Sequence, residues 1–176
     1  IVCPNVPFVA GYHIDAICDH LQACADGQIR KLVINVPPRT SKSILTCVLF
    51  QPWVWARDQA KHRHFDASSQ WLYSSHSQKL VIRDASLARL LMRSPWYQAR
   101  WGNCFDFKED QDSKLYYENT QGGARIGITT CTGTGLNADF KVVDDPHDLE
   151  GSESDKQRDA VCDWWDAEFS SRGNNP

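Results

Sequence analysis

The chain is poor in several things at once. Of its 176 residues one is methionine and ten are glycine, and no apolar run reaches the roughly eighteen residues that a membrane helix needs. There is no signal-peptide pattern, so a membrane or secretory reading has no support. A large excess of charge of either sign is also missing, with 19 Lys and Arg against 22 Asp and Glu. A net charge of −3 argues against coating DNA by bulk electrostatics, while leaving room for a local basic surface. Seven cysteines, an odd number, contain no C-x-x-C pair, which disfavours a disulfide framework and a zinc site. Most have apolar neighbours and read as reduced core residues of a cytosolic protein. Internal repeats, low-complexity tracts and clear linkers are absent. What remains, 41% apolar and 23% charged residues, is the composition of one soluble globular domain. The first residue is Ile rather than Met, as expected of a fragment or processed product.

Residues 31–45 carry the strongest signal. Leu32 to Val36 is a short β-branched run that predicts a buried strand, stopped by Pro37-Pro38 because proline cannot donate to a sheet ladder. Arg39, Thr40, Ser41, Lys42 and Ser43 follow, then Ile44, Leu45, Cys47, Val48 and Leu49, suited to a buried helix. Strand, tight loop, Lys-Ser and helix is an arrangement that holds nucleotide phosphates. Backbone N–H groups face the anion, Lys42 supplies charge and the Ser43 hydroxyl takes Mg²⁺. The pattern departs from G-x-x-x-x-G-K-[ST], with Val36 and Ser41 where glycines belong. The alternative is an ordinary strand–turn–helix with a solvated lysine.

Upstream, Ile14, Ile17, Leu21 and Cys24 predict a helix closed by Gly27. Tyr12 and His13 at its start either hold an adenine ring or simply pack and cap. Downstream, Lys61, His62, Arg63 and His64 read as a surface loop, and Trp71 to Ser75 as a second strand. Lys79 to Arg93 reads as a helix ended by Pro95, with Arg83, Arg89 and Arg93 mainly on its polar side. Trp96 to Asp112 reads as irregular. Leu115 to Tyr117 and Ala124 to Thr129 form a hairpin, and Thr132 to Gly135 a flexible loop. A last helix starts near Ser154, with Gln157 completing a capping box and Ala160, Val161, Trp164, Trp165 and Phe169 as its buried side.

Phe140 to Val143 predicts a strand that ends in Asp144-Asp145-Pro146-His147-Asp148. An apolar strand ending in paired carboxylates is the second half of an ATPase site: Asp144 holds Mg²⁺ and Asp145 polarises the attacking water. The alternatives are a plain acidic turn, or direct metal ligation by Asp144, Asp145, His147 and Asp148, which crowd one turn.

Taken together, Gly11 to Ile17, Ile34 to Arg39, Lys42-Ser43, Trp71 to Ser75, Arg83-Asp84, Ser94 to Gln98 and Trp101-Gly102 resemble the ATPase domain of tailed-phage terminase large subunits. The resemblance continues through Gly122 to Arg125, Thr134-Gly135, Val143 to His147, Trp164-Trp165 and Ser171-Arg172. It implies an α/β fold of the P-loop NTPase class (ASCE, RecA-like), with a central, mostly parallel sheet flanked by helices and a hairpin between the nucleotide motifs. It also implies a single ATPase domain over residues 1–176, incomplete at both ends and without the nuclease carboxylates. The activity would be ATP hydrolysis with Mg²⁺, driving double-stranded DNA into a procapsid in the host cytoplasm. The family works as a homo-oligomeric ring with portal protein and terminase small subunit, away from membranes. Pro38, Arg39, Thr40, Ser41, Lys42, Ser43 and His13 would contact nucleotide, and Ser43 and Asp144 the metal. Asp145 would act as base, although many P-loop ATPases carry glutamate there. Arg39 matches an arginine finger or sensor, a role that Arg83 or Arg125 from a neighbouring subunit would fill instead. The rival readings are another P-loop motor such as a helicase, and a non-catalytic scaffold with a degenerate loop.

Overall fold

A computed structural model describes residues 11–57, 65–132, 135–148 and 153–169. Its centre is β1 (Gln70–Ser75), five of whose six residues are buried. β1 runs parallel to both neighbours, β4 (Ala124–Thr129) and β5 (Phe140–Val143). β2 (Phe107–Asp112) and β3 (Tyr116–Asn119) complete the sheet antiparallel, in the order β2-β3-β4-β1-β5. The sheet is therefore mixed, not mostly parallel. The physical reason is connection length, since strands joined by a few residues can only return antiparallel. Between β3 and β4 the Asn119 side chain organises the turn. Its Oδ1 accepts from the N–H groups of Gln121 and Gly123, both at 2.9 Å, and its Nδ2 donates to Ala67 O at 2.8 Å. A Cβ at Gly123 would stand 2.1 Å from that same carbonyl, so glycine is required there.

Helices cover both faces. Trp71 and Tyr73 point into the main core with Ile14, Ile17 and Leu21 of α1 (Tyr12–Ala25) and Ala85 and Ala88 of α3 (Gln78–Met92). Also in it are Val54 and Trp55 of α2 (Phe50–Trp55) and Tyr97 of α4 (Pro95–Trp101). Leu72 points the other way, toward Trp164 of α5 (Asp155–Trp164) and Phe169 of its π-helical continuation (Trp165–Phe169). This strand alternation is what the sheet pleat dictates.

Several expectations are corrected. Residues 31–37 form no strand and enter no ladder among the described residues. Leu32, Ile34 and Val36 pack on the main core while Val33 is 91% exposed. A period-2 apolar pattern chooses which side chains turn inward; it does not supply a strand edge to pair with. The helix after Ser43 begins as a π-helical segment (Ile44–Leu49) before α2. Pro52 explains the irregularity, because it has no N–H to continue the helical pairing. Residues 96–112, read as irregular, hold most of α4 and all of β2. β2 has one apolar residue in six, too few to show any period.

Of the described cysteines Cys47 is buried and Cys24 and Cys104 pack half-buried against the main core, whereas Cys18, Cys131 and Cys162 are exposed, so the core reading holds for three of the six. Ser154 makes no side-chain cap, and Ala160 and Trp165 are exposed. Tyr12 is 88% exposed rather than packed, and α1 has no side-chain cap. The basic stretch 61–64, Gly133, Thr134, Ser171 and Arg172 lie outside the described residues.

Candidate phosphate and metal site

The parallel strands β1 and β5 end on the same side of the sheet, the side on which α/β proteins place ligands. There, Lys42 Nζ meets Asp144 Oδ1 at 2.9 Å and Asp145 Oδ1 at 2.8 Å. Lys42 and Asp145 are 103 positions apart in the chain. β5 fixes the carboxylates: Asp144 N–H donates to Ser74 O at 2.9 Å, and His76 N–H to Asp145 O at 3.2 Å. The His76 ring Nδ1 lies 2.9 Å from that same carbonyl. Burial alone would lower the Lys42 ammonium's pKa, but hydrogen bonds to Asp145 and Asp144, with their charge, outweigh it and hold it above the ordinary lysine value.

The loop before Lys42 has the backbone of a glycine-rich turn without the glycines. Arg39 and Ser41 hold φ values of 66° and 65°, a region that non-glycine residues seldom adopt. Thr40 Oγ1 donates to Pro37 O at 2.7 Å, and Leu45 N–H to Ser41 O at 3.0 Å, which ties the loop to the helix behind it. Ser43 sits at the N-cap of the π-helical segment, and Thr46 Oγ1 donates to Lys42 O at 3.0 Å. Asp145 is also in the left-handed region, at φ 44°. Three such residues in one small region form a cluster of local strain, and strain of this kind gathers at ligand-binding sites.

Beneath the triad lies a cavity of about 10 Å³, room for one water-sized particle, lined among others by Cys47, Tyr73, Ser75, Asp84, Arg125 and Asp144. Ligand atoms of Cys47, Asp84 and Asp144 all lie within 4.8 Å of one another. Burial pushes the Cys47 thiol up to about 12, helped by the charge of Asp144, so it stays protonated at neutral pH. Burial also raises the Asp84 carboxyl above its ordinary value, against the opposing pull of Arg83, whose Nε donates to Asp84 Oδ1 at 2.8 Å.

Of the residues singled out from sequence, the structure brings Lys42, Asp144 and Asp145 together and places Ser41 and Ser43 beside Lys42 in the chain. Pro38 and Arg39 are exposed on the same loop, with Thr40 half-buried. His13 is not joined to this group by any hydrogen bond or ring contact among the described residues; its ring meets Tyr12 edge-on at 6.0 Å. His147 and Asp148 do not join Asp144 in its ligand cluster among the described residues; Cys47 and Asp84 do. Arg125 is 1% exposed, which removes it as an arginine reaching another subunit's nucleotide. Its Nη1 instead donates to Cys47 O at 2.9 Å and Gln51 Oε1 at 3.0 Å, and the guanidinium stacks on Tyr73 at 3.6 Å. In the i to i−5 pairing that Phe50 N–H makes to Leu45 O, the Cys47 carbonyl would be matched to Pro52, which has no N–H. Arg125 supplies that donor. Asp84 and His76 were not legible as site residues. Asp84 had a signal, a carboxylate on the apolar stripe of α3; His76 had none. Compared with known proteins, the chain matches no family model and no curated protein.

Proposed function

We propose that the chain is a P-loop-type ATPase domain, and that the Lys42–Asp144–Asp145 contact marks its nucleotide site. A lysine that leaves a strained, glycine-like loop to meet two strand-end carboxylates is the donor set that a triphosphate with a divalent cation calls for. Lys42 and the loop backbone would take the phosphates, with Ser43 and Asp144 the Mg²⁺. Bound Mg²⁺ would draw charge off the phosphate oxygens. Asp145, at the exposed side, would orient a water and accept its proton, and Arg39 would offset charge on the transferred phosphoryl group. The RecA-like assignment, and the work to which hydrolysis is put, rest on the terminase resemblance. That work is translocation of double-stranded DNA, gripped through its phosphates, into a procapsid by a ring of subunits on a portal.

The scaffold reading draws on the same contact: Lys42 is already neutralised by two carboxylates, and phosphate must displace them. Calorimetry with ATP, with and without Mg²⁺, separates the two. Binding that tightens with Mg²⁺ is expected, and none at millimolar ATP would leave the scaffold.

A further inference from the structure

Arg125, Tyr73 and Ser75 are each at least 95% buried, and each has a polar atom with no hydrogen-bond partner. For Arg125 these are Nε and Nη2, for Tyr73 the hydroxyl and for Ser75 Oγ. All three line the same small cavity onto which Asp84 and Asp144 also open. Burying unpaired donors is costly, and so is burying a carboxylate such as Asp84, which is 4% exposed. Together they make a ring of donors and acceptors below one of the two carboxylates that Lys42 holds. Asp84 comes from α3, Arg125 from β4, and Tyr73 and Ser75 from β1, so three elements meet under the end of β5.

We propose that Asp84 and Arg125 are positioning residues that orient Asp144 for Mg²⁺ through the polar cavity they share with Tyr73 and Ser75. This rests on the nucleotide-site reading above. Neither residue touches nucleotide. Asp84 limits where the Asp144 carboxylate can turn, because like charges at this range repel, and Arg125 anchors the cavity floor to the helix that follows Lys42. Partners behind a metal ligand typically change metal affinity about 10- to 100-fold when removed.

The test is Asp84→Asn, read by the ratio of ATP affinities with and without Mg²⁺ and by the melting temperature. The expected result is ATP affinity without Mg²⁺ equal to the unaltered chain, a Mg²⁺-dependent gain reduced about tenfold, and a melting temperature unchanged or higher. A merely structural Asp84 would lower the melting temperature and leave the gain intact, which overturns the proposal. Tyr73→Phe, which removes one unpartnered hydroxyl, is the second variant should Asp84→Asn not fold. A reduced Mg²⁺-dependent gain supports the network, and an unchanged one overturns it. If the unaltered chain binds no ATP, the nucleotide-site reading falls and takes this inference with it. If it binds ATP with a Mg²⁺-dependent gain that neither variant alters, only this inference falls.

Discussion

Lys42 is held by two carboxylates and is only partly buried, its side chain 26% exposed. Such a contact contributes about 1 kcal/mol or less to stability, so its position argues more for a ligand than for the fold. Lys42→Ala is expected to fold, with ATP affinity and turnover lost; an unchanged ATPase rate in that variant would end the assignment. The pH dependence has a definite sign. The folded-state pKa of Lys42 is raised, so its stabilisation is fully present below the unfolded lysine value, about 10.4, and is lost as pH rises through the folded one. Alkaline melting curves should therefore fall more steeply for the unaltered chain than for Lys42→Met.

At the scale of elements, α3 does two jobs. Its middle carries Asp84 to the cavity, while Arg89 in the last turn and Arg93 at the C-cap both bind Asp112 of β2. Arg93 also lies over Phe107 at 4.9 Å. Partial burial works to raise the Asp112 carboxyl, but hydrogen bonds to Arg89 and Arg93 prevail and lower it. Its stabilisation is present above the unfolded carboxyl value, near 4, and is lost as pH falls through the folded one. Asp112→Asn should cost about 0.5–1 kcal/mol at neutral pH by urea unfolding, with the difference from the unaltered chain closing in acid. The edge strand β2 was not legible because polar pairing, not apolar period, docks it.

Over the whole molecule, two cores sandwich one sheet. The smaller, built from Leu72, Ala138, Trp164 and Phe169, depends on α5. Trp164 is 6% exposed and also donates its Nε1–H to Thr132 O at 3.3 Å. Trp164→Ala should destabilise the fold by about 3–5 kcal/mol, measured by denaturant unfolding; a loss under 1 kcal/mol would mean that α5 does not seal this face. Among the described residues no helix is long and apolar enough to cross a membrane.

The sequence by itself determined what local chemistry can determine. Helical spacing marked α1 and α3, a turn with paired glycines marked the β3–β4 hairpin, and an apolar run before twin aspartates marked β5. It also put Lys42-Ser43 and Asp144-Asp145 forward as candidates, because their residue types carry the chemistry wherever they lie. Tertiary structure decided the rest. Only packing could leave residues 31–37 outside the described sheet, bury Arg125 under a carbonyl matched to Pro52, and separate buried Cys47 from exposed Cys18, Cys131 and Cys162. It alone brought Asp84 under Asp144, since a contact between an α3 carboxylate and a β5 strand end leaves no trace in spacing along the chain.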